Sequence, residues 1–146
     1  MVPSEKRKYM YLAVMEGRMA IAKCADNPPV GCVLVQNGKV VARGHTNSPG
    51  EPHAEAMAIS QLNDAAEDIV AFVTLEPCSF KGRTPSCAQT LIDAGIKTVC
   101  VGILDPDPRN NGQGIEKMRA AGINVEVGIL AHEISAELRS FLGKAP

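Results

Sequence analysis

Asn37-Gly38 sits between two short apolar runs, 30–36 and 39–44, and no other feature limits the fold of this chain so sharply. Asn-Gly is the strongest two-residue hairpin signal, because a type I′ turn needs positive φ at both central positions. The two runs are therefore expected to be antiparallel neighbours in one sheet. From there onward apolar runs and helical patterns alternate. Strands are expected over Ile69–Leu75, Thr98–Ile103 and 123–127, the last with Ile123, Val125 and Val127 alternating. Helices are expected over 53–62, 86–95 and 115–121, with Gly95 and Gly122 as stops, and a closing helix is marked by Leu130, Ile134, Leu138, Phe141 and Leu142. A first helix from Ser4, its candidate cap, to about Cys24 carries Met10, Ala13, Val14, Gly17, Ala20, Ile21 and Cys24 on one face, and Asn27-Pro28-Pro29 ends it. Strand–helix alternation after one hairpin predicts an α/β domain, with a central five-stranded mixed sheet between two helical layers.

With 146 residues, 45% of them hydrophobic, the chain is expected to form one domain over 1–146 with a substantial core. The net charge is −1, no long block of like charges occurs, and Lys6-Arg7-Lys8 is expected to be a solvated helix start. Without a basic footprint or aromatic residues to stack bases, a nucleic-acid partner is not expected, and a small molecule is. No apolar run is long enough to span a membrane and no signal-peptide pattern is present, so no membrane partner is expected either. Five cysteines make no compact disulfide framework, which fits a reducing, cytoplasmic setting where spaced Cys and His point to metal or catalysis.

Among those residues His53, Glu55, Cys78 and Cys87 stand apart. Each alone is a weak signal: a lone His at a helix start is usually a cap, and a lone Cys is usually a small core side chain. Cys24, Cys32, Cys100, His45 and His132 are read in that plain way. The four together are different. His53 and Glu55 open a helix, Cys78 lies at the carboxyl end of the next strand, and Cys87 lies in the first turn of the helix after it. Strand carboxyl ends are where α/β sheets bind ligands. One His and two Cys suit Zn2+ with an open fourth position, where a bound water has its pKa lowered to roughly 7. Glu55, not needed as a ligand, would then carry protons in a hydrolytic deamination. A structural zinc module is the rival, but it would need a fourth soft ligand, and no residue at suitable spacing offers one.

His53-Ala54-Glu55 followed by Pro77-Cys78 and a second cysteine resembles the zinc-dependent base deaminases of the cytidine deaminase-like superfamily. Eight residues separate Cys78 from Cys87, where most members have two. With Asn27-Pro28-Pro29-Val30-Gly31, Gly50-Glu51-Pro52, Leu75-Glu76-Pro77-Cys78 and Asp105-Pro106-Asp107-Pro108, this looks like the pyrimidine deaminase of riboflavin biosynthesis. The resemblance implies a three-layer α/β/α fold, Zn2+ on His53, Cys78 and Cys87, and Glu55 as proton carrier. It implies a diaminated ribosylamino-pyrimidinone phosphate as substrate and a homo-oligomer, dimer or tetramer; the closing helix offers Leu138, Phe141 and Leu142 either as contacts for it or as side chains that cover the sheet. It also implies substrate contacts from Asn27, from Thr46 and Asn47, and from Lys81 or Arg83 near the phosphate. The chain departs from the family at Thr46 and Phe80, where histidines are usual, and at Ser86, where proline is. Two of these fall in loops expected to meet substrate, so another nucleobase, nucleoside or aminated heterocycle stays open.

Overall fold

The computed structural model describes residues 1–142 apart from 23, 25–26, 49–50, 64–66 and 81–84. Its elements run α1 (Pro3–Arg18), β1 (Gly31–Gln36), β2 (Lys39–His45), α2 (Ala54–Ile59), β3 (Ile69–Leu75), α3 (Cys87–Asp93), β4 (Thr98–Ile103), α4 (Gln113–Ala120), β5 (Asn124–Val127) and α5 (Ala131–Leu138). The sheet order is β2-β1-β3-β4-β5. β1 is antiparallel to both β2 and β3, whereas β4 is parallel to β3 and to β5. The hairpin turns as expected, with Asn37 at φ 51° and Gly38 at φ 76°.

Period-two alternation along each strand makes two cores. Cys32 and Leu34 of β1, Ala71 and Val73 of β3, and Val99 and Val101 of β4 face α2, α3 and α4. The intervening Val33, Val35, Phe72 and Cys100 face α1 and α5, where Tyr9, Met10, Ala13, Ile134 and Leu138 cover them. The sheet is thus the middle of three layers. Cys24, Cys32 and Cys100 are all buried, as small core side chains should be. Leu138 is buried inside this chain's own core, which removes it as a contact for a second copy.

Topology decides where chemistry can be gathered. Because β1 is antiparallel to β2 and β3, its start at Gly31 lies beside the ends of both, at His45 and Thr74. The loop before β1, the loop after β2 and the loop after β3 therefore leave the sheet at one rim. Two glycines let the helices approach that rim closely. A Cβ at Gly31 would lie 1.8 Å from the Ala13 carbonyl oxygen of α1, and one at Gly44 would lie 2.0 Å from that of Ala54 in α2.

Several expected boundaries shift. Ser4 is not the cap of α1: Val2 is, with extended backbone, and Pro3 takes the first helical position, where its missing N–H costs nothing. The helix ends at Arg18 rather than near Cys24, since Gly17 meets the Pro29 backbone and the chain must turn back towards β1. Ala20 and Cys24 stay buried through that turn, but Ile21 is 54% exposed. α2 is shorter than its apolar pattern, and His53 is its extended N-cap rather than part of the helix. α4 starts two residues earlier than expected, behind a Gly112 cap that has no side chain of its own. On β2 the strand continues to His45, and a bulge at Leu34/Val35 interrupts its pairing with β1. Beyond α2, the Gln61 carboxamide donates to the Arg43 carbonyl and accepts from the Arg43 N–H, on the open side of β2.

Candidate active site

An extended N-cap at His53 turns that side chain away from the helix and towards the strand ends, while Glu55, in the first turn of α2, points inward and is 4% exposed. Cys78 follows β3 by three residues and is half-buried. Cys87 is the first residue of α3 and is buried. One ligand atom from each of His53, Cys78 and Cys87 lies within 4.8 Å of the other two. His53 Nδ1 and Cys87 Sγ are 3.0 Å apart, and the Cys87 N–H donates to Cys78 Sγ over 3.2 Å.

Tetrahedral zinc with sulfur at about 2.3 Å and nitrogen at about 2.0 Å needs ligand atoms separated by about 3.6–3.8 Å, so this cluster fits the ion with small adjustments. The donor types fit as well, since zinc takes one imidazole and two cysteine sulfurs and would displace the proton that the pair otherwise shares. Hydrogen bonding from Cys87 pulls the Cys78 thiol down from 9.0 to about 4, making it the thiolate of the pair, while the proton stays on Cys87, whose own pKa is raised first by that shared bond and then by burial. Glu55 behaves differently. Burial raises its carboxyl from 4.5 to about 7, which suits a group that must take up and release protons near neutrality. Among the described residues this is the one His/Cys/Asp/Glu group able to hold a metal, and it contains no fourth soft ligand.

The cluster lines an open cavity of about 220 Å³, whose walls also include Asn27, Thr46 and Asn47. Those three were expected at a substrate site, and the structure brings them to the cavity. Lys81 and Arg83 lie outside the described residues. The Thr46 hydroxyl is occupied within the wall: it donates to the Pro28 carbonyl and accepts from the Val30 N–H, both at 2.8 Å. The Asn47 carboxamide donates to the Pro52 carbonyl, tying the loop that leads into His53. Phe80, half a turn of chain beyond Cys78, lies under the Arg109 guanidinium, 4.8 Å from the ring centroid.

Sequence reasoning missed four side chains here. His45, read as an unremarkable residue, sits 2.6 Å from the buried Glu16 carboxylate and so joins the end of β2 to α1. Asp105 lines the cavity opposite the β1 loop. Glu76, 3% exposed, accepts three backbone N–H bonds at 2.9–3.1 Å, from Asp105, Gly112 and Ile115. It caps α4 from across the fold, which explains the early start of that helix. Asn110 is wholly buried against the Cys78 loop. The only available signal for Glu76 was an acid directly before Pro77 at a strand end; its partners lie 29 to 39 residues away. Glu76→Gln replaces one acceptor oxygen by a donor among N–H groups, and should lower unfolding free energy by about 2–3 kcal/mol in urea titrations.

Residues 3–103 match the family model described as the cytidine and deoxycytidylate deaminase zinc-binding region. The chain is 43% identical over 133 residues to riboflavin biosynthesis protein RibD of Aquifex aeolicus, covering 91% of this chain and 37% of that protein. It is 39% identical over 127 residues to the diaminohydroxyphosphoribosylamino-pyrimidine deaminase of Buchnera aphidicola, covering 87% of this chain and 86% of that one. The crystal structure of the deaminase/reductase of Thermotoga maritima superposes with a TM-score of 0.90 at 37% identity, over 95% of this chain and 40% of that chain. The chain thus spans little more than a third of the Aquifex protein.

Proposed function

The chain belongs to the zinc-binding cytidine and deoxycytidylate deaminase family, and we propose that it hydrolytically removes an amino group from diaminohydroxyphosphoribosylaminopyrimidine, the compound named for its Buchnera relative. The observation that carries this reading is a buried Glu55 set beside His53, Cys78 and Cys87 in the lining of one cavity. His53, Cys78 and Cys87 would hold zinc, which supplies Lewis acidity and lowers the pKa of a water to roughly 7. Glu55 does the proton work. Its carboxylate takes a proton from the attacking water and passes it to the ring nitrogen next to the amino-bearing carbon, then takes the second proton from the added hydroxyl as the carbonyl forms and gives it to the departing nitrogen. Ring carbon exchanges its C–N bond for C–O, and ammonia leaves. Burial of Glu55 raises its pKa to about 7, where a group can both take up and release protons at neutral pH. Asn27 and Asp105 line the walls where a pyrimidine's polar edge would be held.

Ammonia release from the phosphorylated pyrimidine, its dephosphorylated form, cytosine, cytidine and adenosine tests the reading. Turnover is expected with the phosphorylated pyrimidine, lost on chelation and restored by zinc. Absence of ammonia from every compound by the zinc-loaded chain would overturn it. One observation favours a second reading, a different aminated heterocycle. Thr46 spends its hydroxyl on Pro28 and Val30 and leaves no free donor where the family usually has histidine. Turnover of an unphosphorylated compound alone would select it. A homo-oligomer belongs to the same proposal and is read by light scattering.

A further inference from the structure

The loop that carries Cys78 is not held by its own residues. Cys78 is flanked by the Pro77 carbonyl and the Ser79 N–H, and both are taken up by one side chain. Asn110 donates from Nδ2 to the Pro77 carbonyl at 3.3 Å and accepts at Oδ1 from the Ser79 N–H at 3.1 Å. A carboxamide here does what a neighbouring strand would do for the peptide groups on either side of Cys78, just past the end of β3. Asn110 is wholly buried, so its carboxamide is shielded from water. Its own backbone is anchored as well: Asn110 N–H donates to the Asp107 carbonyl, and the following Gly112 N–H donates to Glu76. Downstream on α4, Lys117 Nζ lies 3.3 Å from the Oγ of Ser86, the cap of α3, and 3.5 Å from the Ser79 carbonyl. Ser79, next to Cys78, and Ser86, next to Cys87, are thereby each held by α4 or the loop before it.

We propose that Asn110 is a positioning residue for the metal site: it fixes the backbone of Cys78 and so aims that thiolate at His53 and Cys87 before any ion arrives. The inference rests on the zinc reading above only for what the site binds. A side chain that orients a ligand through its backbone acts as outer-shell groups do, and their loss costs metal affinity rather than the fold.

Asn110→Leu keeps the branching of the side chain and removes both bonds, and Lys117→Met releases Ser86 without touching Cys78. Zinc affinity is read by competition with a chromogenic chelator. Amide exchange at Cys87 and Ala88, which donate to Cys78 Sγ and to the Cys78 carbonyl, is read on each chain as isolated. Neither amide touches Asn110, so a merely local loss leaves them unmoved. Asn110→Leu should weaken zinc binding roughly 10- to 100-fold and speed exchange at both amides, with Lys117→Met giving a smaller effect. Unchanged exchange at Cys87 and Ala88 would overturn the inference whether or not the native chain binds zinc. Absence of zinc binding by the native chain, with exchange accelerated in Asn110→Leu, would sink the zinc reading and leave the positioning role standing. A folded Asn110→Leu chain with zinc affinity within twofold of native would also overturn it.

Discussion

Glu55→Gln should cut turnover by roughly 10²- to 10⁴-fold while leaving zinc content at one per chain, because the amide keeps the shape of the side chain and loses its ability to carry a proton. Steady-state ammonia release and metal analysis of the same sample check both halves. Wild-type turnover in the variant would sink the role assigned to Glu55. A second readout has the opposite sign. Burial holds the Glu55 pKa near 7 in the folded chain against an ordinary value of 4.5. Between those pH values the folded state keeps a proton that the unfolded state has lost, so this group lowers stability as pH rises from 4.5 to 7 and lowers it no further above that. At about 1.4 kcal/mol for each pH unit the penalty reaches roughly 3 kcal/mol. In metal-free protein Glu55→Gln should therefore match the native chain near pH 4 and exceed it in stability at pH 8, as measured by urea unfolding. The same residue would make the chain active and less stable.

Gly44→Ala is expected to be severely damaging for a single methyl in the rim. Its Cβ would lie 2.0 Å from the Ala54 carbonyl oxygen, 2.8 Å from the Ala58 nitrogen and 3.0 Å from the Ala54 carbonyl carbon. All three are helix backbone, so no rotamer change relieves the contact and α2 must move off the sheet. A loss of about 3 kcal/mol or more in unfolding free energy follows, and the shift carries His53 and Glu55 with it, so activity falls alongside stability. Gly38→Ala is the control. It meets no atom within 4 Å and is strained only by its positive φ, which should cost about 1 kcal/mol. Equal losses in the two variants would show that close approach of α2 to β2 is not what the glycine provides.

The parts of the fold readable from sequence are those whose causes are local. Ile69–Leu75 and Thr98–Ile103 fall where the apolar runs place them, because a strand buried on both faces is continuous in hydrophobic residues. Asn37-Gly38 carries its turn in two residues. The failures have distant causes. Nothing near Gly112 announces a cap for α4, since the capping carboxylate is Glu76, 36 residues earlier. His45 is unremarkable in its own strand and acquires a partner only when α1 folds over it at Glu16. Ser4 fails as a cap because Pro3 already suits the first turn. At the candidate site, His53, Glu55, Cys78 and Cys87 could be picked out by residue type and spacing, and Asn27, Thr46 and Asn47 by resemblance. Asn110 and Asp105 could not, because their relevance depends on the β4 loop lying against the β3 loop, a relation set by parallel pairing of the two strands.

Gln61 offers the same carboxamide device at β2, an edge strand of the sheet. By satisfying both the N–H and the carbonyl of Arg43 on the free side of β2, it occupies the hydrogen-bonding position that an incoming strand would need. A sheet that ends in β2 is otherwise a template for its own copies, and a cross-strand ladder cannot run past a point already filled. Gln61→Ala would reopen that point, and the cost would show as slow fibril or oligomer growth on storage rather than as lost catalysis. A residue just beyond α2 would thus serve the colloidal lifetime of the protein.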